Sequence, residues 1–340
     1  MVARGPWMPT SFDPTPAAPH DWVGTTKVIG PLAIPQISVG TPSPSGEPVA
    51  ISAEFRSFPF RPDVVLDGWS TDTVTIRGVS QRGHMHRHNG APRQDDFAIH
   101  QLPGRRVIAV VADGVSGARQ SHVGAGTAVR YAADWLRSNL GDDVAHTDWQ
   151  LLYKNVAWAL AEQAKISYGL DEPDPLRAEE EFATTLVCAV IEPAITGGLR
   201  AYLTGVGDSG AWLLSSGMFT ELLGGKAISE TGLTSATVTA LPQVPTDPLE
   251  PTVVDIASNE VLLIGTDGIG DPLGDGRGGV GNLLRELLAK PSPPSLVEFA
   301  HLVDFSRELF DDDRTLVAIW AIQPANSDPA QSPRPEDRAR

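Results

Sequence analysis

"LLIGTDGIGDPLGDG", residues 262–276, opens as a buried strand and changes within a few residues into a mixture of aspartates and glycines. Three carboxylates, Asp267, Asp271 and Asp275, follow directly on an apolar run. Like charges crowded at the edge of a core repel one another unless a cation sits among them. The placement recurs along the chain: Asp113 follows "VIAVVA", Asp208 follows "YLTGVG", and Asp312 stands just before "TLVAIWAI". Any one of these reads as a solvated loop acid. Together they point to strand ends that meet at one rim around positive charge.

The runs themselves are strands. "RRVIAVVA", "TTLVCAVIE", "RAYLTGVG", "EVLLIGT" and "TLVAIWAI" are short and rich in β-branched residues, bounded by Gly, Pro or acids. Between them lie helical stripes. One starts at Ser121 with Val129, Ala133, Leu136 and Leu140, and one at Asp148 with Leu152, Val156, Ala159 and Leu160. A second pair fits residues 279–290 and 294–310, where Leu283, Leu287, Phe299, Leu302 and Phe305 recur at helical spacing. Strands in adjacent runs and helices in pairs predict an α+β sandwich with helices outside the sheets. Residues 1–70, crowded with Pro, Gly, Ser and Thr, read as an extension, and residues 324–340 as a disordered polar tail. The folded domain is expected at 71–323.

Composition narrows the partners. With 26 Lys and Arg against 42 Asp and Glu, the formal charge is −16 and no basic stripe suits nucleic acid or an anionic membrane. The N-terminus lacks the apolar core of a secretory signal, and no run is long enough to span a bilayer. Cys188, the one cysteine, lies in an apolar strand and reads as a small buried hydrophobe. A cytoplasmic setting is expected.

The candidate ligands are all oxygens, which suits hard cations such as Mn²⁺ or Mg²⁺ and argues against a zinc site. Gly114 and Gly268, each behind an aspartate, permit a tight turn or a close main-chain approach to an ion. Two ions roughly 3.5–4 Å apart can lower the pKa of a bridging water and hold a phosphoryl oxygen for in-line attack.

In order along the chain, "QDDF", "VVADGVSG", "FATTLVCAVI", "VGDSGAWLL", "LLIGTDGIGD" and "DDDRTLVAIW" resemble the PPM/PP2C-type metal-dependent serine/threonine protein phosphatases, in their bacterial branch. The resemblance implies a four-layer α-β-β-α sandwich with two central antiparallel sheets and a dimetal centre at one edge. Carried over motif by motif, it implies Asp95 and Asp113 as core metal residues, with Gly114 offering its carbonyl. Asp267 and Asp312 complete the pair of sites, and Asp208 with Asp271 forms a third, weaker one. Asp96 and Asp313 are the reserves for Asp95 and Asp312. Residues 222–256 correspond to a variable flap.

Two departures stand out. Gln94 occupies the place of a glutamate, and Gly90 or Ala91 falls where a phosphate-binding arginine is expected. Arg93 or Arg119 could substitute, since a guanidinium binds phosphate in bidentate fashion. In "HMHRH", His84, His86 and His88 share a face if the segment is extended, and His86 or His84 could protonate a leaving oxygen or contact phosphate.

The implied activity is hydrolysis of phosphoserine or phosphothreonine in a protein substrate, a target of a cognate kinase. One alternative is a catalytically weak phosphatase-like regulatory module. A second is a serine hydrolase using Ser209 of "GDSG", although Ala211 stands where a second glycine would aid an oxyanion hole.

Overall fold

Strands whose residues alternate strictly between two different apolar environments need no polar face. The central strands of this protein are of that kind, as the computed structural model, which describes residues 37–43, 62–195, 197–224 and 239–322, makes plain. In chain order the elements are β1 (Val64–Ser70), β2 (Val74–Gln81), α1 (His84–Asn89), β3 (Asp96–Gln101) and β4 (Val107–Ala112). Next come α2 (Ser121–Asn139), α3 (Trp149–Tyr168), α4 (Pro175–Phe182), β5 (Leu186–Pro193), β6 (Leu199–Val206), β7 (Gly210–Ser215) and β8 (Met218–Leu223). The chain closes with β9 (Thr252–Ile256), β10 (Val261–Gly265), α5 (Asp267–Leu273), α6 (Gly279–Leu288), α7 (Leu296–Val303) and β11 (Arg314–Ala321).

Two antiparallel sheets result. One has six strands in the order β1-β2-β11-β10-β7-β8, the other five in the order β3-β4-β5-β6-β9. Odd-numbered residues of β4 and β5 (Val107, Ala109, Val111; Val187, Ala189, Ile191) meet Leu262 and Ile264 of β10 and Val317 and Ile319 of β11 between the sheets. Even-numbered residues of β4 and β5, such as Ile108, Val110 and Cys188, face α2 and α3 instead. On the far side, Leu263 of β10 and Leu316 and Trp320 of β11 pack on α6 and α7. Burial on both faces explains why these strands read as unbroken apolar runs. The layers are therefore helix, sheet, sheet, helix, as the sequence pattern anticipates.

The helices carry their own punctuation. Asp148 caps α3 by accepting from Leu151 N at 2.8 Å, and Gly169 ends it in the left-handed region at φ 64°. Ser295 and Glu298 form a reciprocal capping box on α7.

Three expectations change. β1 lies inside the stretch read as an extension, pairing with β2 from Val64↔Gln81 to Ser70↔Thr75, so the sheet begins at Val64. The "HMHRH" run is not extended: it is α1, which sets His84 and His88 four residues apart on one stripe and turns His86 away from them. Of the expected flap, residues 225–238 lie outside the described residues, while Thr252–Ile256 is the edge strand β9 beside β6. The expected tail and most of the expected extension also lie outside the described residues.

Packing between α2 and α4 leaves no room for a side chain at Gly124, where a Cβ would fall 2.0 Å from the carbonyl oxygen of Phe182. Alanine is the better helix former by about 1 kcal/mol, but pushing two backbones apart costs about 1–3 kcal/mol. Gly124→Ala is therefore expected to destabilise the chain despite the gain in propensity, as read by the midpoint of urea denaturation.

Candidate metal centre

Antiparallel pairing decides which chain ends meet. The start of β3 lies beside the end of β4 (Asp96↔Ala112), and the start of β5 beside the end of β6 (Leu186↔Val206). In the other sheet the end of β10 lies beside the starts of β7 and β11 (Gly265↔Gly210, Gly265↔Leu316). Asp95, Asp113, Asp208 and Asp312 occupy the loops at these ends and Asp267 opens α5 there; Asp113, Asp208 and Asp267 come together, with Asp95 and Asp312 within electrostatic reach of Asp113.

The innermost is Asp95, 1% exposed. Its Oδ2 accepts hydrogen bonds from the hydroxyls of Thr266 and Thr315, each at 2.8 Å, so a carboxylate from one sheet is held by two threonines of the other. Thr315 N–H in turn donates to Thr266 Oγ1 at 3.1 Å. Burial, and then the charges of Asp313 and Asp312, push the Asp95 carboxyl well above the usual range.

Asp113 is set by the pair Thr184 and Thr185. Its N–H donates to Thr185 Oγ1 at 3.0 Å, and its carbonyl oxygen accepts from Thr184 Oγ1 at 2.7 Å. Carboxylate oxygens of Asp113, Asp208 and Asp267 lie within 4.8 Å of one another. Burial raises the Asp113 carboxyl well above its ordinary value, and Asp95, Asp267 and Asp312 add to this. Asp267, first residue of α5, is raised to about 6 by burial and by Asp312, Asp208 and Asp271, while a hydrogen bond with Asp113 works the other way. Asp271 is thus within electrostatic reach, one helical turn along α5. Asp312 is raised by burial and by Asp313. Oxygen-only donors, crowded and mutually repelling, fit a divalent cation.

Asp313 behaves differently. It accepts from Gly83 N–H at 2.6 Å and from Gln94 N–H, and its Oδ1 lies 2.9 Å from His86 Nδ1. Burial opposes its charge, yet His86 and these donors hold its carboxyl below the usual range. It is a fixed internal anion. His86, buried at the same place, would be lowered by burial, but Asp313 and then Asp312 raise it to about 8. Their mutual stabilisation is full between about pH 4 and 6.5, is lost as the pH rises through about 8, and is lost again as the pH falls far enough to protonate Asp313. His84 is lowered, by burial first and then by Arg87 and Arg314, so it is neutral near pH 7. Of the two histidines only His86 carries a proton to give.

Of the two substitute arginines, Arg93 is committed beneath the rim, while Arg119 is exposed. Arg93 is 1% exposed, with Nη1 donating to Ser80 Oγ at 2.6 Å and to the main-chain oxygen of Asp95, and Nε donating to Pro62 O at 3.2 Å. It braces the backbone under Asp95. Arg119 pairs with Glu181 of α4 at 3.0 Å.

The glycines are also needed for close packing. A Cβ on Gly268 would fall 1.8 Å from Asp313 O, and one on Gly114 2.8 Å from Ser121 Cβ. Neither has a left-handed φ, so both are needed for chain crossing rather than for a turn. Sequence reasoning missed Thr184, Thr185, Thr266 and Thr315. Thr266, beside Asp267, and Thr315, three residues after Asp312, carry a signal of position, whereas Thr184 and Thr185 lie more than 70 residues from the Asp113 they hold and carry none.

A carboxyl whose pKa rises from 3.8 to about 6 on folding binds more protons in the folded chain, so stability falls as the pH climbs through about 4–6 and the loss persists above. Without added metal, Asp267→Asn is expected to melt higher than the parent at pH 7.5, with the difference shrinking towards pH 4. Scanning calorimetry checks this, and equal or lower melting at pH 7.5 contradicts it.

Comparison with known proteins gives the frame for this geometry. The family model described as Protein phosphatase 2C matches residues 82–303, more than half of the chain. The catalytic domain of the serine threonine protein phosphatase PstP, solved in complex with two manganese ions, superposes with a TM-score of 0.51 at 19% identity, over 76% of this chain and 100% of that one. A bacterial serine phosphatase gives 0.50 at 15% identity, over 73% of this chain and 97% of that one. No curated protein is detectably similar in sequence. With its two antiparallel sheets, its outer helices and the span of the family match, the chain belongs to the protein phosphatase 2C family.

Proposed function

We propose that the protein is a metal-dependent phosphatase that hydrolyses phosphoserine or phosphothreonine in protein substrates. The observation that carries this reading is the approach of Asp113, Asp208 and Asp267 to within 4.8 Å at the rim of a protein phosphatase 2C fold. Two Mn²⁺ or Mg²⁺ ions, with a third bound more weakly, would supply Lewis acidity for the phosphoryl oxygens and lower the pKa of the attacking water.

The chain's own residues divide the remaining work. Asp113, Asp267 and Asp312, with the carbonyl of Gly114, would hold the ions, and Asp208 with Asp271 would hold the weaker one. Asp95, oriented by Thr266 and Thr315, would join them as the core metal residue carried over from the "QDDF" motif. His86, kept protonated by Asp313, gives its proton to the leaving serine or threonine oxygen. With Arg93 committed to Ser80 and Asp95, phosphate capture rests on the ions more than on a guanidinium.

Ser209 is a poor nucleophile by comparison. It is 2% exposed and its Oγ lies 2.7 Å from Thr185 Oγ1, which stands beside Asp113. That bond supports a bracing role. The regulatory-module alternative rests on Gln94 and on the missing arginine.

Phosphate release from a phosphothreonine peptide separates these readings. The full chain with Mn²⁺ is expected to turn over, and chelator to stop it. Asp113→Ala should abolish turnover at any manganese concentration, while His86→Ala should lower it by about 10²- to 10⁴-fold, the usual contribution of a general acid. Wild-type turnover that persists in chelator, or in Asp113→Ala, contradicts the assignment. A chain that binds manganese without releasing phosphate favours the regulatory module.

A further inference from the structure

Residues 37–43 come from the stretch that reads as an extension, yet they are built into the fold. Ile37 O accepts from Ser306 N–H at 2.8 Å and Val39 N–H donates to Ser306 O at 2.9 Å. Thr41 O accepts from Glu308 N–H at 2.8 Å. Ser43 N–H donates to Ser306 Oγ at 2.9 Å. Ile37 and Val39 pack against the core under α6 and α7. Gly279, the first residue of α6, leaves the space that Val39 fills, since a Cβ there would meet Val39 Cγ1 at 2.6 Å. The strap therefore pairs, residue by alternate residue, with the segment that runs from α7 into β11.

That segment carries Asp312. Its other contacts lead to the rest of the rim: Arg307 Nη1 donates to Pro272 O of α5 at 2.6 Å, and Asp311 O accepts from Met85 N–H of α1 at 3.1 Å. Gly83 has no room for a side chain, because a Cβ would lie 2.3 Å from both Asp311 O and Asp312 C. So both α1 and the strap pack on the segment. At the end of the strap, Ser43 is 4% exposed and its hydroxyl bonds to Asp311 Oδ1, with Arg307 O alongside at 3.1 Å. A hydroxyl has a single proton, and a charged acceptor takes it in preference to a neutral one.

We propose that Ser43 is a positioning residue for the metal centre: through Asp311 it sets the backbone from which Asp312 reaches the ions, which makes the strap a working part of the site. The inference rests on Asp312 being a ligand, as argued above. A ligand held by one peptide unit from a fixed neighbour loses freedom it would otherwise have to give up on binding, and metal sites tolerate only about 0.5 Å of misplacement. The strap thus acts on affinity for the ion, not on the chemistry of the loaded site.

The test is calorimetric titration of manganese into the metal-free full chain, for the parent, Ser43→Ala, Asp311→Ala and the double variant, with folding checked by circular dichroism. Each single variant is expected to bind manganese about 3- to 10-fold more weakly, the effect of losing one hydrogen bond to a charged group. The double variant should be no weaker than the worse single, because both act by one route. A purely structural Ser43 would lower the melting temperature and leave manganese affinity unchanged, which overturns the proposal. Effects that multiply in the double variant overturn it too, by showing that Ser43 does not act through Asp311. If the parent itself takes up no manganese, the metal reading fails and this inference falls with it. Uptake by the parent with an unchanged Ser43→Ala removes this inference alone.

Discussion

Two threonine hydroxyls on one buried carboxylate hold the two halves of this protein in register. Thr266, at the end of β10, and Thr315, in β11, both reach Asp95 at the start of β3 across the gap between the sheets. Ser80 of β2, 2.7 Å from Thr315 Oγ1, and Arg93 extend the network beneath it. A carboxylate so deeply buried is costly unless its lone pairs are satisfied. Once they are, the strand ends on either side come to a common rim, and the remaining aspartates have nowhere to go but towards one another.

That crowding explains an electrostatic division at the rim. Asp95, Asp113, Asp267 and Asp312 are all pushed above the ordinary carboxyl range, as expected of acids that repel and are shielded from water. Asp313 alone goes the other way, because Gly83, Gln94 and His86 supply the hydrogen bonds and positive charge it needs. One adjacent pair, Asp312 and Asp313, thus splits into a site residue and an anchor. The stability that the first group forgoes is the driving force for taking up a cation.

Much of this was legible in the amino-acid order. The apolar runs mark strands buried on both faces, and the helical stripes at Ser121, Asp148 and residues 279–290 are helices in the structure, whereas the stripe expected over 294–310 is helical only from Leu296 to Val303, because Ser306 beyond it pairs with the strap instead. The aspartates at strand ends could be found because period-two burial leaves only the ends of such strands free to be polar. What stayed hidden depends on contacts between distant residues. Arg93 looks like any loop arginine until its guanidinium is found beneath Asp95. "HMHRH" has no apolar period from which a six-residue helix could be inferred, and only its fit against Asp313 shows why His86 is turned inward. β1 was masked by the Pro-rich and Gly-rich composition around it, and the strap at Ile37–Ser43 gains its form from pairing with residues 306–308, not from any pattern of its own.

Everything proposed for the site reduces to whether cations bind among these carboxylates. Diffraction from crystals of the full chain grown with manganese, with data collected at the manganese absorption edge, tests this most directly. The account predicts anomalous peaks among the oxygens of Asp113, Asp208, Asp267 and Asp312. Crystals saturated with manganese that show no peak there, or show it only at surface histidines such as His88, would contradict it.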